Sequence, residues 1–91
     1  KKTFGMFAGK EETVTLRCDR TLTGVLIDRF GKDIRMLKAD EEHFRIVVKV
    51  AASMHFIHWI MALGDGAKII GPENLVEEVR GEINRLMAQY S

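Results

Sequence analysis

Arg17, Arg29, Arg45 and Lys49 are the side chains through which this sequence could do chemistry, because each puts a fixed positive charge on a regular element. Arginine presents a rigid five-donor fork that matches carboxylates and phosphates, and lysine adds a compact point charge. Val14, Leu16 and Cys18 alternate with Thr15, Arg17 and Asp19, and Phe44, Ile46, Val48 and Val50 alternate with Arg45, Val47, Lys49 and Ala51. That period of two marks half-buried strands, so Arg17, Arg45 and Lys49 fall opposite the apolar sets and can share one face. Arg29 stands elsewhere, in Asp28-Arg29-Phe30-Gly31 at a helix end. Two roles fit it. The favoured one is structural, complementing the negative end of the helix beside a core Phe30 and a closing Gly31; the other is contact with a ligand or partner.

Other reactive residue types carry less. His55 and His58 are spaced to share a helix face, but a metal site needs at least one further ligand, and nothing in the spacing selects Cys18 or His43. Cys18 belongs to the inward series of its strand, which makes it a small core hydrophobe, and no histidine is placed by sequence to activate it. Cys18-Asp19-Arg20-Thr21-Leu22-Thr23-Gly24 supplies no glycine-rich anion-binding loop. No catalytic residue, metal or cofactor is expected, and the chain does not read as an enzyme.

The elements that must position the cations follow from the same patterns. After the first strand, Leu22, Val25, Leu26 and Phe30 recur at helical spacing, and Gly31 can adopt the positive φ that closes a helix. Ile34 to Leu37 reads as a second strand, Asp40-Glu41-Glu42 as a turn, and Phe44 to Ala51 as a third strand in the central pair. Ser53 is a helix N-cap, with Gly64 as the end of that helix. Asp65-Gly66 turns the chain into a fourth strand, Ala67 to Ile70. Gly71-Pro72 then opens a last helix with proline at its first position, where a missing amide hydrogen costs nothing. Leu75, Val76, Val79, Ile83, Leu86 and Tyr90 form the stripe of that helix, with the pairs Glu77/Arg80 and Glu82/Arg85 on its wet side. The order βαββαβ plus a helix defines an α+β fold, a ferredoxin-like sandwich with an additional C-terminal helix.

With 91 residues, 46% hydrophobic and 30% charged, the chain is one soluble domain. Its longest apolar run, Phe56 to Leu63, is far below the roughly 20 residues of a membrane span. A net charge of +1 lacks the excess of an autonomous duplex-DNA binder. Cations nevertheless crowd the first half while the last helix is acidic; a solvated mixed-charge face is the favoured reading, and a patch for something anionic is the alternative. One cysteine excludes an internal disulfide and fits a reducing cytoplasm.

The entry segment Phe4-Gly5-Met6-Phe7 with Gly9, the strand Thr13 to Asp19, Asp28-Arg29-Phe30-Gly31, the strand Phe44 to Val50, the helix start Ser53 to Trp59 and the terminal helix after Gly71-Pro72 occur in an order that resembles a known family. It is the C-terminal extension (WCX) domain of bacterial WYL-domain transcription regulators. The resemblance runs the length of the chain. It implies a parent of three modules: an N-terminal winged helix-turn-helix on DNA, a β-rich WYL module, and this extension. Nothing here matches the WYL signature itself, and Trp59 sits in a different context. Residues 1–12 are then a connecting arm from the preceding WYL module and residues 13–91 the extension domain. A start at Lys1 without Met suits a piece of a longer chain, and equally a processed terminus.

The expected role is a regulatory, effector-response and dimerisation module of a cytoplasmic regulator, without the DNA-reading head. Its expected partners are the WYL module of the same or a partner chain, a second copy in a homodimer, and DNA through the separate N-terminal domain, with no membrane. Phe4, Phe7, Phe56 and Trp59 are the candidate packing or dimer residues. Phe56, Ile60 and Leu63 can face the sheet, which leaves Trp59 toward another side. Arg17, Arg29, Arg45 and Lys49 are the candidates for an anionic, nucleotide or single-stranded nucleic-acid effector, although only Phe44 could offer a stacking aromatic on the inner strands. The alternative is a self-contained metabolite sensor of ferredoxin-like type, which would need a ligand loop after the first strand.

Overall fold

The computed structural model describes residues 11–31 and 34–91. Phe4 and Phe7, with the rest of residues 1–10, lie outside the described residues. Strand β1 (Glu11–Asp19) leads through a 3-10 turn at Arg20–Leu22 into helix α1 (Thr23–Phe30). Strands β2 (Ile34–Lys38) and β3 (His43–Ala51) follow, then helix α2 (Met54–Met61), a 3-10 turn at Gly64–Gly66, strand β4 (Ala67–Gly71) and helix α3 (Glu73–Gln89). The four strands pair antiparallel in the order β2-β3-β1-β4. This is the ferredoxin-like arrangement, α+β with one added helix. β1 begins at Glu11, within the stretch expected as arm.

Alternation decides which way the sheet faces. Val14, Leu16 and Cys18 on β1 and Ile46, Val48 and Val50 on β3 are buried, and the register sets Leu16 opposite Ile46 and Val14 opposite Val48. The helices cover that side with Leu26 and Phe30 of α1, Phe56, Ile57 and Ile60 of α2, and Leu75 of α3. Phe30 anchors the layer edge-on to both Phe56 and Trp59, with ring centroids 6.4 and 5.8 Å apart. Each such pair adds about 0.5–1.5 kcal/mol beyond the burial of its area.

Local chemistry ends the helices where they must end. The Phe56 amide donates to Ser53 Oγ at 3.3 Å, as an N-cap requires. Gly31 takes φ 64° and ψ −139°, a combination essentially confined to glycine, while its amide donates to Ile27 O. A Cβ on Gly66 would lie 2.7 Å from Leu22 Cδ1, so the turn before β4 passes directly against the start of α1. Among the described residues no helix is long and apolar enough to cross a membrane.

Several expectations need correction on the helices. Pro72 is the N-cap of α3 instead of its first helical residue; its carbonyl accepts from the Leu75 and Val76 amides at 3.0 and 3.1 Å. Glu82 is not on the wet side. It is 4% exposed, seven residues after Leu75 and therefore on the inward stripe. Ile83 and Tyr90, read as stripe residues, are 48% and 83% exposed; Ile83 lines an open cleft beside α2 and β4, and Tyr90 follows the last helical residue.

Candidate functional site

The side of the sheet opposite the helices carries no described element, and every strand sends cations to it. Arg45 of β3 stands opposite Arg17 of β1, and Arg17 opposite Lys68 of β4, so one row of three positive charges crosses three strands. Neighbouring strands lie ~4.8 Å apart, which sets the pitch of that row. Lys49 lies four residues beyond Arg45 on the same side, and Arg35 of β2 is in register with Val47. Between the Arg45 row and Lys49 run Val47 and Thr15, cross-strand partners with partly covered side chains. Leu37, 48% exposed, flanks Arg45 at the β2 edge.

Carboxylates occupy the ends of this face. Asp40, in the β2–β3 turn, accepts from Arg17 Nη2 at 3.3 Å and from the Glu42 amide at 2.7 Å. His43 Nδ1 lies 2.9 Å from Asp40 Oδ1 and 3.3 Å from Arg17 Nη2. One nitrogen cannot donate to the first and accept from the second; the shorter contact to a carboxylate assigns it as donor to Asp40, leaving Arg17 held by Asp40. His43 Nε2 is 3.5 Å from Asp19 Oδ1. Asp40 is held below the usual carboxylate range, first by the His43 hydrogen bond and then by the Glu42 amide. Glu11 stands at the opposite end, in register with Ala51. Arg35, Arg45, Lys49 and Lys68 form no ion pair with another described residue.

Arg17, Arg45 and Lys49 are thus brought together, and Arg29 is not. It sits on the helix side, its guanidinium carbon 5.1 Å from the centre of the Trp59 ring. Trp59 in turn packs on Phe30, and Phe56 is fully buried in the core. Phe44 pairs with Cys18 and packs against the core, so it faces the helices. Among the described residues the uncovered face therefore carries no Phe, Tyr or Trp. Arg35 and Lys68 were missed by sequence reasoning because their strands have five residues each, too few for alternation to show.

The helix side has two features of its own. Glu82 accepts from His58 Nε2 on α2 and, with both oxygens, from Arg85 Nε and Nη2 at 2.9 and 2.7 Å. Arg85 first and His58 second hold its carboxyl at about 2, against the opposing effect of desolvation. The site is shallow, since His58 and Arg85 are 50% and 62% exposed. Beside it, a cleft of about 470 Å³ opens between α2, β4 and α3, lined by Ile57, Met61, Ile69, Val76, Val79 and Ile83. Cys18 is buried, and burial first, then Asp19, raises its thiol pKa.

Among the described residues the α+β sandwich thus has one face covered by helices and one lined with cations. The sequence profile of the WCX domain matches residues 10–87, and the chain belongs to that family of regulator-associated domains. No curated protein matches the chain.

Proposed function

We propose that this chain is the regulatory module of a bacterial transcription regulator, and that it responds to an anionic effector or partner through the uncovered face of its sheet. The domain itself reads no promoter sequence. It packs against the neighbouring WYL module and a second copy, and biases the arrangement of the DNA-reading heads. An effector that prefers one arrangement shifts the population toward it, which is enough to couple binding to DNA affinity. One observation carries this reading: Arg45, Arg17 and Lys68 form a row across three strands while no described element covers them. Cations exposed on a rigid sheet are prepaid for recognition, because the strands have already fixed their backbones.

The test is a full-length regulator in which Arg17, Arg45 and Lys68 are replaced by Gln. Size in solution, promoter affinity and response to effector are measured together. Lost response in a folded protein supports the reading, and unchanged assembly, affinity and response remove it. A second reading, the self-contained metabolite sensor, draws on the cleft between α2, β4 and α3, whose size lies within the range of small-molecule sites. Against it, β1 passes straight into the Arg20–Leu22 turn without a loop. Val79→Trp, which fills the cleft, abolishes response under the second reading and spares it under the first.

A further inference from the structure

The uncovered face has a shape as well as a charge. Val47 and Thr15 form a low row of modest, partly apolar side chains across the two central strands, with Arg35 at its β2 end. On one flank stand Arg45, Arg17 and Lys68; on the other stands Lys49. Arg45 and Lys49 are four residues apart along β3, roughly 13.5 Å at about 3.4 Å per residue. An α-helix with its side chains is about 10–12 Å across. A helix laid across the strands over Val47 and Thr15 would therefore rest its apolar stripe on that row and carry its flanks beneath the two sets of cations.

We infer that the uncovered sheet face, between the Arg45–Arg17–Lys68 row and Lys49, is a docking site for an acidic amphipathic α-helix. This rests on the reading of that face as the functional one and names the class of partner it takes. Carboxylate recognition by this row is already realised within the chain, where Arg17 holds Asp40 at 3.3 Å. The occupant's acidic residues are weighted to the flank that meets three cations. Of the described carboxylates of this face, Asp40 is engaged by Arg17 and His43, and Glu11 stands at the far end of β1. Single-stranded nucleic acid is held on sheets by stacking bases on aromatic rings, and the described face offers Val47, Thr15 and Leu37 where those rings would be. Aliphatic side chains between cations suit a peptide with Leu or Ile between its carboxylates.

The test uses the 91-residue chain and a synthetic peptide of about 15–18 residues, long enough to form a helix, with Leu at helical spacing and Glu on both flanks. Controls are a permuted peptide of identical composition and an oligothymidylate of about 15 nucleotides, within the span of single-strand sites. Binding is followed by fluorescence anisotropy at two salt concentrations. The amphipathic peptide is expected to bind at least about ten-fold tighter than its permutation, a difference readily resolved as affinity. Arg45→Gln with Lys49→Gln, which removes charge without reversing it, is expected to lose roughly ten-fold, in line with the loss of desolvated charge contacts. Retained circular dichroism establishes that the variant is folded. Equal binding of both peptides, absence of peptide binding, or tighter binding of the oligothymidylate overturns the inference. Failure here together with lost effector response in the full-length triple variant means that the partner class is wrong and the functional face is right. Peptide binding with unchanged response in that regulator means the reverse.

Discussion

The two faces of one sheet are made by the same strands and obey opposite rules. On the helix side, β1 and β3 contribute Val14, Leu16, Cys18, Ile46, Val48 and Val50, all at most 3% exposed, and Glu82, the one buried charge among the described residues, has its own cations. On the other side the intervening residues are Thr15, Arg17, Arg45, Val47 and Lys49, and only Arg17 among the cations has an internal carboxylate. The helix side gains its free energy from burial and loses it when volume or charge balance is disturbed. The open side has no fully buried side chain among these five residues, so it is expected to contribute less to folding.

This contrast can be broken most directly with size. Phe56→Ala removes a fully buried ring that meets Phe30, and is expected to cost about 3–5 kcal/mol in denaturant unfolding. The corresponding truncation on the other face, Val47→Ala, is expected to cost less than ~1 kcal/mol. Comparable losses at the two positions would show that the open face is structurally covered.

Acid sharpens the difference next. Because the folded state holds Glu82 at about 2, against an ordinary value of 4.5, the ionised carboxylate stabilises the fold above pH 4.5. That contribution declines as pH falls from 4.5 toward about 2. Glu82→Gln lacks it, so urea midpoints of wild type and variant should stand apart near neutrality and converge in acid. A constant gap across that window would mean that Glu82 acts only through its shape.

A smaller effect is expected at the entrance to α2, where Ser53→Ala removes the hydroxyl that caps the Phe56 amide and should cost ~1 kcal/mol by thermal unfolding. Smallest of all is the effect of charge on the open face. Arg45→Gln with Lys49→Gln should leave stability within about 0.5 kcal/mol of wild type, because both side chains are exposed and make no internal ion pair. A large loss by the same thermal measurement would assign these cations to folding.

How legible each face was follows from how each is encoded. β1 and β3 have nine residues each, long enough for apolar and polar residues to alternate several times, so their inward and outward sets could be read directly. The same alternation placed Arg17, Arg45 and Lys49 on one side. Ser53 and Gly31 were legible because a cap and a positive φ are local demands on single residue types. What was hidden depended on distance in sequence. Glu82 forms a sensible surface pair with Arg85, and only the approach of His58, 24 positions away, reveals that it is sealed in. Phe44 fell in the apolar series of its strand and its register with Cys18 agrees, whereas Arg29 offered no hint of Trp59 beneath it. The exposed end of α3 carries a stripe that continues unchanged, since periodicity records the helix and not the length of what it packs against.

The strand order bears on how the chain is synthesised. β1 is made first yet lies inside the sheet, between β3 and β4. Its Glu11 waits for Ala51 and its Leu16 for Ile69 before both edges are paired. A nascent chain stopped anywhere before β4 must leave an inner strand with one bare edge, and such edges invite pairing with other chains. Completion of the sheet, and protection of the second edge of β1, therefore falls to a five-residue segment near the end of the chain, Ala67–Gly71.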